Sequence, residues 1–145
     1  MSFADELQRA CDRAKGRAAD VVRATAVGLQ SGMVQRCPVD SGRLRANFQI
    51  GIGSINTRTT SSSGSDPVGR AQSVMGTWRI GQTIWLTNSL PYAHVAEYGL
   101  YGKPPGSANG PKTVNGYSTQ APGGFVRLTV QDFEQTFRKA ARSVK

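Results

Sequence analysis

Few side chains in this sequence are suited to chemistry. The one histidine, His94, lies three residues before Glu97, so the two could share one face of a helix. A catalytic triad needs a nucleophile, a base and an orienting acid in fixed geometry, and a zinc site needs at least three protein ligands. One histidine and one carboxylate provide neither, so His94 is expected to be a surface or interface imidazole. We expect no catalytic residue, no cofactor and no metal ion.

The cysteines and one glycine pair were considered for other chemistry. Cys11 lies within a predicted helix and Cys37 just beyond its C-terminal end, about 39 Å apart at roughly 1.5 Å per residue. A disulfide needs Cα atoms within about 7 Å, so two free thiols are expected, as in a protein made in the cytoplasm. Gly51-Ile52-Gly53 lacks the third glycine of a phosphate-binding loop and falls within a strand pattern.

The charge balance allows a polyanionic partner. The chain has 18 Lys+Arg against 9 Asp+Glu, a net charge of +9, which favours nucleic acid or an acidic protein surface. The stripe of Arg9, Arg13 and Arg17 could bind phosphates. Neutralisation of this stripe by Asp5, Asp12 and Asp20 favours an ordinary solvated face instead. The sequence has no run of consecutive basic residues, so any nucleic-acid binding is expected to be non-specific.

A long helix must position these residues. The sequence predicts one amphipathic helix from residue 3 to about residue 35, ended by Pro38. Many residues on its apolar face are alanines, which allow close approach to another element of this chain or of a neighbour. That face consists of Phe3, Leu7, Ala10, Ala14, Ala18, Val21, Val22, Thr25, Leu29 and Met33.

A small sheet is expected next. Asp40 and Gly42 favour a turn over 38–43, and alternating apolar residues then predict a strand over 44–52. Two further strands, 77–81 and 83–88, would complete a three-stranded antiparallel sheet. The polar segment 53–73, between the first and second of these predicted strands, is predicted to be a loop.

The C-terminal third combines helices with a second long loop. Pro91 to Glu97 predicts a short helix, and apolar spacing over 126–144 predicts a C-terminal amphipathic helix. The Gly- and Pro-rich segment 99–124 is expected to be a loop. The whole chain, 1–145, is therefore expected to form a single α+β domain.

Several residues are candidates for contact with other chains. The two loops contain few apolar residues, so we expect them to stay mobile unless a neighbouring subunit covers them. Tyr101 and Tyr117 would then provide contact area, and Lys103 and Lys112 would reach acidic groups. Val27 and Leu128 project away from the apolar faces of their helices, which indicates a second contact surface. No signal peptide is recognised and no apolar run could span a bilayer, so no membrane partner is expected.

Three segments together resemble a known family. Residues 37–48 (CPVDSGRLRANF), 87–99 (TNSLPYAHVAEYG) and 121–133 (APGGFVRLTVQDF) occur in the order and at the spacing of motifs in phage tail-completion proteins. These proteins are minor tail or head–tail joining components of lambda-like siphophages. The resemblance implies a ring around the tail axis near the head–tail junction and no catalytic residues.

The matched motifs also imply structural roles. Pro38, Asp40 and Gly42 would turn the long helix into the sheet, and Asn88, Pro91 and Gly99 would bracket the short helix. Glu97 would form a partly buried ion pair with Arg43 or Arg45. The remaining motif residues singled out are Leu44 and Tyr92.

The expected function is assembly into a virion. The chain would form a cyclic homo-oligomer, sixfold to match a tail tube, beside other neck and tail proteins. Phage DNA would pass through its channel without sequence-specific contact. A tail terminator is the nearest alternative, and a non-specific nucleic-acid-binding protein is another.

Overall fold

A computed structural model describes all residues, 1–145. Helices and short strands alternate along the chain, which confirms the α+β class. In chain order the elements are α1 (Phe3–Arg36), α2 (Arg43–Ala46), β1 (Phe48–Ile52), α3 (Pro67–Met75), β2 (Ile84–Asn88), α4 (Ala93–Tyr98), β3 (Thr113–Val114), β4 (Tyr117–Ser118), α5 (Val126–Gln131) and α6 (Phe133–Ser143).

The long N-terminal helix is confirmed. The Ser2 hydroxyl accepts the Asp5 N–H and the Asp5 carboxylate accepts the Ser2 N–H, a reciprocal cap that fixes the first turn. The helix ends where Cys37 adopts an extended conformation before Pro38. Residues 1–18 are all exposed, and α1 is first buried at Ala19.

The strand predicted over 44–52 is wrong in its first half. It begins only at Phe48, because Gly42, at φ 85°, starts the short helix α2. Leu44 and Ala46 are buried, but on a helical turn. The Asn47 side chain donates to the carbonyls of Arg43 (2.8 Å) and Thr60 (2.9 Å), which ends the turn.

The predicted three-stranded sheet is also wrong. β1 pairs with β2 alone, antiparallel, from Phe48 opposite Asn88 to Ile52 opposite Ile84. Residues 77–81 form no strand, since the Trp78 indole N–H donates to the Gln82 carbonyl (2.9 Å) and closes a turn.

The segment 53–73 is irregular only as far as Asp66. There the Asp66 carboxylate accepts the Gly69 N–H (2.9 Å) and Pro67 opens α3. Ala71 and Met75 of this helix are buried. The part before it is held by Asn47, whose side-chain oxygen accepts the Thr60 N–H (2.7 Å).

The segment 99–124 contains a β-hairpin, β3–β4, in a second two-stranded sheet. Asn115 and Gly116 form its turn at φ 48° and 80°. Gly116 donates to the Ala108 carbonyl (2.9 Å), and Tyr101 donates to the Gly116 carbonyl (3.0 Å). Both segments predicted to be loops therefore contain regular structure, which hydrogen bonds support where apolar residues are few.

The predicted C-terminal helix is split at Asp132 into α5 and α6. The Asp132 carboxylate forms an ion pair with Arg36 at the end of α1. Both helices lie close to α1: a Cβ added at Gly28 would be 2.8 Å from the Thr136 methyl, and one at Gly32 2.9 Å from the Thr129 methyl. The small residues of α1 therefore serve close packing within the chain.

The domain has two apolar cores, and β1 contributes Phe48 to the first and Ile50 to the second. The first is formed by Met33, Cys37, Leu44, Phe48, Leu90, Ala96, Ala121 and Phe125. The second is formed by Ala19, Ala26, Ile50, Ala71, Met75 and Trp78. α1 contributes to both cores and so joins the two halves of the domain. No helix combines the length and the hydropathy needed to cross a bilayer.

Candidate assembly surface

An open cleft of about 330 Å³ lies between the segment 38–44 and the β3–β4 hairpin. Its walls bring together residues from two of the predicted motifs and from the long loop. The predicted residues that line it are Pro38, Asp40, Gly42, Arg43, Leu44, Tyr92, Tyr101 and Lys112. Residues far apart in the sequence thus form one surface, which we call the motif cleft.

A side-chain amide holds the two walls of the motif cleft together. Gln120 accepts the Val39 N–H (2.9 Å) and donates to the Val39 carbonyl (2.8 Å), as a neighbouring strand would. At the mouth, Lys112 lies 3.4 Å from Asp40, but both side chains are almost fully exposed. Such an exposed pair adds little stability and leaves both charges free for another contact.

The motif cleft adjoins the first core, which includes Leu44 of the cleft lining and against which Tyr92 and Tyr101 pack. Tyr101 packs against the first core, and burial raises the pKa of its hydroxyl, with smaller contributions from Tyr92 and Cys37. Burial likewise raises the pKa of the Cys37 thiol to about 12, although the Arg45 charge opposes this. The thiol therefore stays protonated at neutral pH and is a packing group rather than a nucleophile. Cys11 is free as well, as predicted for both.

Glu97 organises the structure beside the motif cleft. Its buried carboxylate accepts the backbone N–H groups of Phe125 (2.8 Å), Val126 (2.8 Å) and Arg127 (3.0 Å). These are the free N–H groups at the start of α5, which has no side-chain cap of its own. A negative charge at a helix N-terminus is also favoured by the helix dipole.

The expected ion pair of Glu97 with Arg43 or Arg45 is wrong. Its partner is Arg127, whose Nε lies 3.0 Å from the carboxylate. Arg45 instead donates to the Cys37 carbonyl (3.1 Å), and Arg43 is exposed at the motif cleft. The sequence did predict a helix that starts just after Gly123-Gly124. The free N–H groups of that helix start, with Arg127 in its first turn, were the signal for a carboxylate partner.

The pKa of Glu97 reflects two opposing effects. Burial by itself would raise it, but the three N–H groups and the Arg127 side chain stabilise the ionised form and bring the pKa below its ordinary value. The pKa of Arg127 is raised, first by its hydrogen bond to the Tyr117 hydroxyl and then by that to Glu97. The pair is therefore charged at neutral pH.

Other motif residues hold the frame around Glu97. The Asn88 side chain donates to the Leu44 carbonyl (2.8 Å) and so links the two motifs directly. Gly99 ends α4 at φ 68°, and the Tyr117 ring lies where a side chain at Gly99 would be. Pro91 is exposed in the turn before α4 rather than inside that helix.

The predicted contact residues are in different environments. Val27 is half-buried against the second core, because the unpredicted helix α3 lies on its side of α1. Tyr117 is half-buried, and its hydroxyl accepts a hydrogen bond from Arg127 (3.3 Å). Leu128 and Lys103 are exposed, as is His94. The structure contains no group of three or more residues arranged to hold a metal ion.

Fold and site together define a small α+β domain whose motif residues lock helices in place and build a cleft. The family model described as "Bacteriophage HK97-gp10, putative tail-component" matches residues 2–99, more than half of the chain. The chain belongs to this HK97-gp10-like family of phage tail components, which confirms the resemblance found in the sequence. The match includes the first two motifs, whereas the third lies outside it. Comparisons with curated proteins and with solved structures found no match.

Proposed function

We propose that the protein is a structural subunit of the phage virion, located in the neck or upper tail, where it completes the tail or joins it to the head. The observation that supports this most directly is family membership combined with the motif cleft, where residues of both matched motifs meet on one open surface. The cleft would receive a segment of a neighbouring neck or tail protein.

The motif side chains favour a structural role over catalysis. Glu97 binds the start of α5, Asn88 binds the Leu44 carbonyl and Asn47 binds Thr60. These polar groups are already hydrogen-bonded within the chain, so they position helices instead of presenting a reactive group to a substrate. The exposed charges, such as Arg43 and Lys112 at the cleft mouth, remain available for a partner.

In the assembled virion the subunits would form a closed ring around the tail axis. A sixfold ring would match a tail tube, and each subunit would then meet its neighbour through two different surfaces. DNA would pass through the channel of this ring. The net charge of +9 favours contact with the DNA phosphates alone, without sequence specificity. A tail terminator would occupy the same region and is the alternative.

A charge-reversal experiment tests the motif cleft. In a phage that lacks this gene, a plasmid would provide the chain with Arg43→Glu and Lys112→Glu. We expect the plaque count to fall by at least about tenfold, because the new glutamates would face the acidic partner groups expected opposite Arg43 and Lys112. Like charges at the rim of an interface slow association and weaken binding. The charge-matched control, Arg58→Glu with Arg79→Glu, changes exposed arginines outside the cleft and should restore normal plaques. Equal plaque counts for both variants would contradict a docking role for the cleft.

A further inference from the structure

We propose that the N-terminal half of α1, residues 3–18, docks into an apolar groove on a second copy of the chain. We call these residues the arm. The inference rests on the proposed function, since it names the contact that would join neighbouring subunits. Its support is an uncovered apolar stripe and an uncovered apolar groove on the same molecule.

The arm is a formed helix in which every residue is exposed. It extends about 24 Å beyond the first buried position, Ala19. Phe3 and Leu7 are 79% and 53% exposed, and Ala10 and Ala14 continue their stripe. Helices of this length are marginal in water by themselves and usually depend on packing of their apolar face. We therefore expect a partner surface to cover the apolar stripe of the arm.

A groove of about 250 Å³ lies on the body of the domain, between α1, β2 and α6. Almost all of its lining is apolar, and the stacked rings of Phe133 and Phe137, 6.3 Å apart, form one wall. These rings are 49% and 42% exposed. Val22 and Leu29 of α1 form its floor, with Ile84 and Leu86 of β2 opposite.

The arm cannot fill the groove of its own chain. Arm and groove floor belong to one uninterrupted helix, Phe3–Arg36. At about 100° per residue, Leu7 and Thr25 project in the same direction, so the stripe and the groove open on the same side. A straight helix cannot fold back onto itself, and a second copy is the molecule that brings an arm of this composition to this groove.

Charge and area fit such a contact. The arm begins with the acidic residues Asp5 and Glu6, and α6 ends with the basic residues Lys139 and Arg142, none of them in an ion pair within the chain. An arm that lies antiparallel to α6 would bring its acidic end toward the basic end of that helix. Phe3 of the arm and Phe133 and Phe137 of the groove together expose roughly 300 Å² of apolar surface, which the contact would cover.

Two substitutions test the contact in the purified full-length chain. Leu7→Asp disables the arm and leaves the groove intact, whereas Phe137→Asp does the reverse. By native mass spectrometry and sedimentation, we expect the unmodified chain to self-associate and each variant alone to be weakened at least about tenfold. A mixture of the two variants should form pairs, because one intact arm then meets one intact groove. The control Ile55→Asp places the same charge at an exposed apolar position outside arm and groove and should self-associate normally.

Either of two results would overturn the proposal: an unmodified chain that stays monomeric at every concentration, or variants that do not pair when mixed. Complementation of the gene-deleted phage separates this failure from failure of the proposed function. If the plaque count with Leu7→Asp equals that with Ile55→Asp, the proposed arm contact is wrong but the proposed tail role stands. If the deletion itself leaves plaque formation unchanged, the tail role is wrong.

Discussion

At the scale of single residues, Glu97 connects the middle of the chain to its C-terminal helices. Its carboxylate replaces the missing cap of α5 with three backbone hydrogen bonds and pairs with Arg127. The sequence indicated that Glu97 would be buried in an ion pair. It could not indicate the partner, because Arg127 lies 30 positions away and only the fold brings the two together.

Replacing Glu97 with glutamine should destabilise the protein. The amide keeps one acceptor oxygen but loses the charge that binds three N–H groups, so we expect a loss of about 2 kcal/mol in the free energy of unfolding at pH 7. Urea denaturation monitored by circular dichroism measures this. The control Glu134→Gln removes an exposed i,i+4 pair with Arg138 and should cost less than about 0.5 kcal/mol.

The same residue predicts a pH dependence. Because the folded-state pKa of Glu97 is below its ordinary value of 4.5, its contribution is complete above that value and is lost as the pH falls through the folded-state pKa. The stability difference between the wild type and Glu97→Gln should therefore shrink below about pH 4.5. A difference that stays constant from pH 7 to pH 3 would show that the carboxylate charge is not what stabilises α5.

At the scale of elements, two short sequence signals for regular structure were missed because they lie in segments of polar composition. Asp66-Pro67 is a helix start and Asn115-Gly116 a hairpin turn, yet both lie in segments whose Ser, Gly and Pro content indicated loops. Long elements with regular spacing, such as α1, were predicted correctly. The strand predicted over 77–81 was wrong because Trp78 packs into the second core from a turn. An alternating apolar pattern cannot distinguish a buried residue in a turn from one on a strand.

The hairpin turn can be tested at Gly116. Its φ of 80° is strained for any other residue, and a Cβ there would collide with the Gly99 carbonyl and the Gly106 backbone. Gly116→Ala should therefore lower the free energy of unfolding by about 1–3 kcal/mol, measured by thermal denaturation. Gly64, with open space around it and an ordinary φ, is the matched control. An equal loss at Gly64→Ala would show that the turn has no special role.

The arm should be dispensable for folding. Since residues 1–18 have no buried side chain, deleting residues 1–17 should change the free energy of unfolding by less than about 1 kcal/mol. Thermal melts of the truncated and full-length chains, compared at a low concentration where self-association is absent, give this value. Global unfolding of the truncated chain would mean that the arm contributes to the domain's own stability.

At the scale of the whole molecule, the positive charge should give weak, non-specific DNA binding. The excess of basic residues is distributed along the chain, so binding should depend on phosphate attraction and weaken steeply between about 50 and 200 mM salt. Fluorescence anisotropy with DNA duplexes of different sequence measures both properties. Tight binding to one sequence at physiological salt would favour the nucleic-acid-binding alternative.

Fold class and family followed from the sequence more readily than sheet topology and tertiary contacts did. Helix periodicity and motif order indicated an α+β tail component, and the family match over residues 2–99 agrees. The motif cleft could not be predicted, because it depends on Gln120 joining the hairpin to Val39 across 81 positions. Neither spacing nor composition encodes such a contact.

The most direct test of the proposed role is to locate the chain in the particle. Cryo-electron microscopy would compare particles from the gene-deleted phage with those from the same phage supplied with the chain. We expect the deletion to give heads and tails that are incomplete at the upper tail end or unjoined, and the supplied chain to restore a closed ring of density there that fits this fold. Purified infectious virions that lack the chain, from a deletion that assembles normally, would contradict the account.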